Sequence, residues 1–218
     1  MAGPTGLVLL TDRRSARRPL TELVRAGVDA GLRWVVLRER DLPAAERLAL
    51  AVELRAILAD AGGTLLVAGP DPLGGPAVHL TAAGPYPPPR LPLVGRSCHD
   101  AVELARLSTE DYVTLSPVHP TRSKPGYGPP LGPAGLRDLV RRSPVPVLAL
   151  GGISSPAQVT ACLAAGAVGV AVLGAVMRAD DPATTVAALL TAAEKVSPAT
   201  AAGPVDVAGS RPGRGGAR

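Results

Sequence analysis

Short apolar runs recur along the chain at 7–10, 34–37, 64–67, 77–80, 91–94, 112–115, 145–150 and 169–173. Each is nearly continuous rather than alternating, which is the pattern of a strand buried on both faces. Between most of them lie longer stretches with helical character, at 19–31, 43–61, 99–108, 132–143, 155–166 and 182–195. Pro182 opens the last of these, at the position where a missing backbone N–H is harmless. Buried strands alternating with helices predict an α/β protein with parallel strands. Eight such units before residue 196 predict a compact (β/α)8 TIM barrel. A doubly wound open sheet is the competing arrangement. It would place a glycine-rich phosphate turn after the first strand, and Thr11-Asp12-Arg13-Arg14 stands there instead. The links after the third and fourth runs are dense in Pro and Gly, so their helices are expected to be shortened or missing. Residues 1–197 are expected to form the barrel and 198–218 a disordered tail.

Composition changes this picture little. The chain has 218 residues, 46% of them hydrophobic and none of them Phe, so the core must be aliphatic. The net charge is +5, and Arg211, Arg214 and Arg218 supply three of those charges at the very end. No basic run is interleaved with aromatics, which argues against nucleic acid. A dispersed positive charge suits phosphorylated small molecules. Cys98 and Cys162 make neither a disulfide framework nor a zinc spacing. The first apolar run breaks at Thr11–Arg14, too early for a secretory signal, and no stretch is apolar for long enough to cross a bilayer. A cytoplasmic protein without a membrane partner is expected, with room left for a homo-oligomer.

In a barrel of this kind, chemistry sits at the carboxyl ends of the strands. That filter selects Asp12, Arg38, Glu39, Arg40, His79, Ser97, His99, the stretch 116–124, Gly151, Gly152 and Gly174. Glycines after the last two strands expose backbone N–H groups to an anion, where barrels commonly bind phosphate. Lys124 is one of only two lysines, the other being Lys195. With the hydroxyls of Thr121 and Ser123 beside it, it makes a workable anion clamp. His79, His99 and His119 follow successive strand ends, but even spacing does not bring three imidazoles into one coordination shell. His79, inside an apolar run, is expected to be buried and hydrogen-bonded.

At this level of detail the chain resembles the thiamine phosphate synthase and TenI family. Leu37-Arg38-Glu39-Arg40 is similar to the family's Q-L-R-E-K, Val78-His79-Leu80 to V-H-L, and Gly95–His99 to G-x-S-x-H. Asp111-Tyr112-Val113 matches D-Y-V, and Ser116–Lys124 resembles G-P-V-F-P-T-x-T-K. Ala149–Ile153 and Gly169–Gly174 resemble A-I-G-G-I and G-V-A-V-V-S. The resemblance implies that Arg38 and Lys124 face a diphosphate and that Ser97 lies near a pyrimidine. It places Thr121, Ser123, Gly151, Gly152 and Gly174 around a thiazole phosphate. A synthase of this family joins hydroxymethylpyrimidine diphosphate to the thiazole phosphate and releases pyrophosphate, with magnesium.

Two departures bear on the reaction. The family's metal-binding N-D falls on Ala68-Gly69, and its second metal aspartate falls among Thr81–Gly84. Alanine and glycine side chains offer a hard cation no oxygen. The thiazole-phosphate half is therefore expected to be kept without a metal or other cofactor, as in TenI-type tautomerases of carboxythiazole phosphate. Such a reaction needs one acid/base near neutrality. The resemblance places the tautomerase's catalytic His at Pro117. His119, which shares a face with position 117 if the sixth strand continues that far, is the candidate. The alternatives are an active synthase in which Asp71 helps hold magnesium, and a non-catalytic regulatory binder of the phosphate ligand.

Overall fold

In a computed structural model of the chain, residues 3–121 and 129–196 are described. Ser123, Lys124 and the tail expected at 198–218 lie outside those residues. Eight parallel strands close into a barrel in chain order: β1 (Gly6–Leu10), β2 (Trp34–Leu37), β3 (Thr64–Ala68), β4 (Ala77–Leu80), β5 (Leu93–Cys98), β6 (Tyr112–Leu115), β7 (Val147–Leu150) and β8 (Gly169–Val172). Around them run α1 (Leu20–Asp29), α2 (Ala44–Ala59), α3 (Ala101–Leu104), α4 (Gly132–Arg142), α5 (Pro156–Ala164), α6 (Gly174–Met177) and α7 (Pro182–Glu194). The (β/α)8 TIM barrel expected from the hydrophobic pattern is the observed fold. The ring closes where Gly6 of β1 faces Gly169 of β8.

Each strand divides its side chains between two layers, because successive Cβ atoms point to opposite faces. Val8, Leu10, Val36, Leu66, Leu93, Tyr112 and Leu148 fill the barrel interior. Leu7, Leu9, Val35, Leu37, Leu65 and Val67 face outward and pack with Leu23, Leu54, Val186 and Leu189 of the helices. Burying one such aliphatic side chain stabilises the fold by roughly 1.5–3 kcal/mol. Helix starts are set locally. Ser155 and Asp181 each precede a proline and accept the N–H of Gln158 and Thr184, so α5 and α7 begin where orphan donors are satisfied.

Among the described residues no helix follows β3 or β4. There Val78, Leu80 and Val94 form a small separate outer cluster, covered in part by Leu91. Two expectations are corrected. The run 91–94 only overlaps β5, which begins at Leu93 and reaches on to Cys98, because Arg96, polar in sequence, is fully buried against Glu110. The helix expected over 99–108 shrinks to the single turn α3. Glu110 accepts the backbone N–H groups of Ser108 and Thr109, which offers the chain a turn instead of further helix. None of the described helices is long and apolar enough to cross a membrane.

Candidate active site

The carboxyl ends of the strands enclose a cavity of about 1150 Å³. Arg38, Ser97, Thr121, Gly151, Gly152 and Gly174 all stand on its wall, brought together from β2, β5, β7 and β8 and the loop after β6. Glu39 explains how L-R-E-R aims its two arginines. Its buried carboxylate accepts the Thr11 hydroxyl at 2.7 Å and the Arg13 N–H at 3.2 Å, tying β2 to the end of β1. Thr11 in turn accepts the Arg38 N–H at 3.0 Å. With Glu39 held by these bonds, its neighbours Arg38 and Arg40 stand on the cavity wall.

One end of the cavity is lined by glycines. The loop after β6 is laced to β7, Val118 N–H to Leu150 O at 2.9 Å and His119 N–H to Gly151 O at 3.0 Å. Gly152 (φ 68°) and Gly151 (φ 102°) hold a backbone that other residues adopt only under strain. A Cβ at Gly152 would strike Pro120 O, and one at Gly151 would lie 2.9 Å from the Pro117 Cα. Across from them Gly174 starts α6, and the Arg178 guanidinium folds back over it into the space a Cβ would fill. Arg178 also lines the cavity, and nothing in the sequence pattern points to it. Its signal is the four-residue spacing from Gly174, one helical turn, visible only once α6 is known.

Another part of the wall is cationic. Arg40 donates its Nε–H to Ala68 O at 3.3 Å, and Arg47, near the start of α2, donates to the same carbonyl at 2.6 Å. Lost hydration, then repulsion from Arg47 and Arg38, holds the Arg40 guanidinium below the ordinary arginine range. Arg106 lies over the Tyr86 ring, 4.4 Å from its centre, with Arg96 over the same ring at 3.9 Å. Arg96 also donates to Thr81 O and Pro85 O, which pins the link after β4.

His79 stands at the floor of the cavity, 7% exposed. Its Nδ1 lies 3.0 Å from the Tyr112 hydroxyl, and its Nε2 lies 3.1 Å from Ser97 Oγ and 3.3 Å from Thr114 Oγ1. Burial, then the charges of Arg40, Arg96 and Arg38, lowers its pKa to about 3. It is a neutral imidazole fixed by three hydroxyls, the buried and bonded histidine expected from sequence.

Two expected site residues are placed elsewhere. His119 does not line the cavity. It packs behind Gly152 with its Nε2 buried and unpartnered, and burial lowers its pKa. Its place in the site requires β6 to continue to residue 119 and keep its alternation, but the strand stops at Leu115. Asp71 is exposed, off the cavity wall, and its Oδ1 accepts the Leu73 N–H at 2.8 Å. It closes its own turn, so the shortened link does not re-aim it toward a metal.

A magnesium site does not fit the donors. Among the described residues no three of His, Cys, Asp and Glu gather into a metal-binding group, and residues 122–128 contain no carboxylate. The acids on the wall are engaged. Asp12 accepts the Arg14 N–H, Asp41 pairs with Arg13 and Arg14, and Glu103 pairs with His99 at 2.8 Å.

Residues 7–74 and 88–176 match the family model described as thiamine monophosphate synthase. The unmatched stretch between them contains β4 and the turn Thr81–Gly84, where a metal aspartate would be expected. A thiamine-phosphate synthase of Methanoculleus marisnigri is 36% identical over 80% of this chain and 89% of its own length. One from Roseiflexus is 33% identical over 83% of this chain and 82% of its own. In fold, the chain is similar to thiamine phosphate pyrophosphorylase from Pyrococcus furiosus, with a TM-score of 0.76 at 24% identity, over 89% of this chain and 98% of the other.

Proposed function

Because the chain belongs to the thiamine monophosphate synthase family, we propose that it joins a thiazole phosphate to hydroxymethylpyrimidine diphosphate and releases pyrophosphate. The observation that carries this reading is that one cavity is lined both by glycines, Gly151, Gly152 and Gly174, and by the arginines Arg38, Arg40 and Arg106. Gly151, Gly152, Gly174 and Arg178 suit a monophosphate, whose oxygens accept backbone N–H groups at close approach. Arg38, Arg40 and Arg106 suit a second and more highly charged group. A tautomerase acting on a single monophosphate needs only the first region, together with an acid/base. His119, the residue expected to serve as that base, stands off the cavity wall.

The two regions divide the work. The glycine end fixes the thiazole phosphate and so fixes the ring nitrogen that attacks. Ser97, held by His79, gives the pyrimidine ring a polar contact at the floor. As the bond from the pyrimidine methylene to the diphosphate oxygen breaks, its electron pair leaves on pyrophosphate. The arginines face that growing charge, where preorganised donors stabilise a transition state more than the ground state. Coupling of the two purified substrates, followed as thiamine phosphate, tests the reading. Turnover is expected, and His119→Ala is expected to retain it within about twofold, because that side chain stands off the cavity wall. Tautomerisation of the carboxythiazole phosphate without any coupling, abolished by His119→Ala, would restore the tautomerase reading.

A further inference from the structure

The positions where magnesium would meet a departing diphosphate offer no carboxylate here, and they carry the opposite charge instead. At the end of β3 the remaining oxygen, Ala68 O, already accepts hydrogen bonds from both Arg40 and Arg47. Around the turn Thr81–Gly84, Ala82 and Ala83 share the cavity wall with Arg106. We propose that Arg38, Arg40 and Arg106 on the cavity wall, with Arg47 adding its charge from behind Ala68, replace the divalent ion, so that the diphosphate is bound metal-free by guanidinium groups. The inference rests on the reading that the second substrate is a diphosphate.

Three observations support it. First, these cations are not neutralised by the protein. Among the described residues none of the four takes part in an ion pair, whereas Arg13, Arg14 and Arg96 do. A group of cations without counter-charge at a cavity wall focuses a positive field on whatever enters. Burial first, and neighbouring arginines after it, lower the pKa of both Arg40 and His79, in the direction such a field requires. Second, Arg47 is held against local preference. It lies in the opening turns of α2, where the helix dipole favours an acid. Its Nε–H is buried without a partner, a donor left without an acceptor. Third, the geometry is built in advance. Tyr86 stacks under Arg106, and its hydroxyl donates to Ala82 O at 3.0 Å. The Arg96–Glu110 pair beneath fixes the same link. Planar guanidinium forks match phosphate oxygens in pairs and never deprotonate near neutrality, so they supply fixed charge where a metal would otherwise be recruited.

Calorimetric titration of the full chain with inorganic pyrophosphate, in EDTA and again in excess magnesium, tests the proposal. Binding in EDTA is expected. The double variant Arg40→Ala, Arg106→Ala is expected to weaken it at least about tenfold, since hydrogen bonds between charged partners are individually strong. Arg40→Lys with Arg106→Lys should recover part of the affinity. Arg25→Ala, an exposed cation of α1, should change nothing, which controls for net charge, and far-ultraviolet circular dichroism checks that each variant is folded. Pyrophosphate binding that appears only with magnesium overturns the proposal, as does an unchanged affinity in the folded double variant. A chain that binds pyrophosphate in EDTA but couples no substrates removes the proposed function and leaves the arginine clamp standing. Coupling together with strictly magnesium-dependent binding does the reverse.

Discussion

Gly152 carries more of the site than any side chain near it. Its positive φ and the absence of a Cβ allow the end of β7 to pass directly against Pro120 and His119. Alanine there has to displace backbone, not the end of a flexible side chain. Gly152→Ala is therefore expected to raise the KM for thiazole phosphate about tenfold or more, and to destabilise the fold by roughly 1–3 kcal/mol, the range of overpacking. Initial-rate kinetics and urea unfolding measure the two effects. Arg178 and His119 mark the limit of what single residues disclose in sequence. Arg178 reaches the site through one helical turn that carries no apolar period of its own. His119 enters the sequence reading through a strand alternation that ends four residues before it.

Elements are legible in proportion to how regular their burial is. All eight strands can be read because both faces are apolar, and the two missing helices because proline removes donors and blocks helical backbone. The exceptions concern one buried ion pair. In sequence, Arg96 and Glu110 look like surface residues. Their partnership lengthens β5, ends α3 and fastens the link after β4. Pairing across 14 residues leaves no periodic trace. Removing one partner strands the other charge in the interior. Glu110→Gln is accordingly expected to cost about 3–5 kcal/mol in chemical unfolding. It should also loosen Tyr86 and the arginines stacked on it, which weakens pyrophosphate binding beyond any effect on the glycine end. The metal question likewise lies at this scale. The sequence discloses that acids are missing at Gly69 and among Thr81–Gly84, but not that Arg47 of α2 bonds Ala68 O beside the first position or that Arg106, beyond α3, shares the cavity wall with Ala82 and Ala83 near the second.

The molecule as a whole carries an acid sensitivity in the barrel interior. His79 has an unfolded pKa near 6.5 and a folded one of about 3. Above the first value it is neutral in both states and contributes nothing to pH dependence. Below it the unfolded chain binds a proton that the barrel refuses, so stability falls as pH drops from about 6.5 toward 3. The slope from this group approaches about 1.4 kcal/mol per pH unit. His119, also lowered by burial, acts in the same direction. Urea midpoints measured between about pH 7 and 5 are expected to decline, and the decline should flatten in His79→Asn. An unchanged slope would mean that His79 is already charged in the folded state.

The pairing of Gly6 with Gly169 has a consequence for how the protein comes into being. A ribosome releases β1 first and β8 last, at roughly 5–20 residues per second. For on the order of ten seconds the growing sheet has an open edge, and that edge is Leu7-Val8-Leu9-Leu10. A bare, uncharged, aliphatic strand is the surface that nascent-chain chaperones bind and that crowded chains share with one another. Two residues without side chains lie where the ring shuts, so the last strand meets little steric resistance as it arrives. The interval in which the chain is most prone to aggregate therefore ends when β8, opening with Gly169, emerges and pairs with β1.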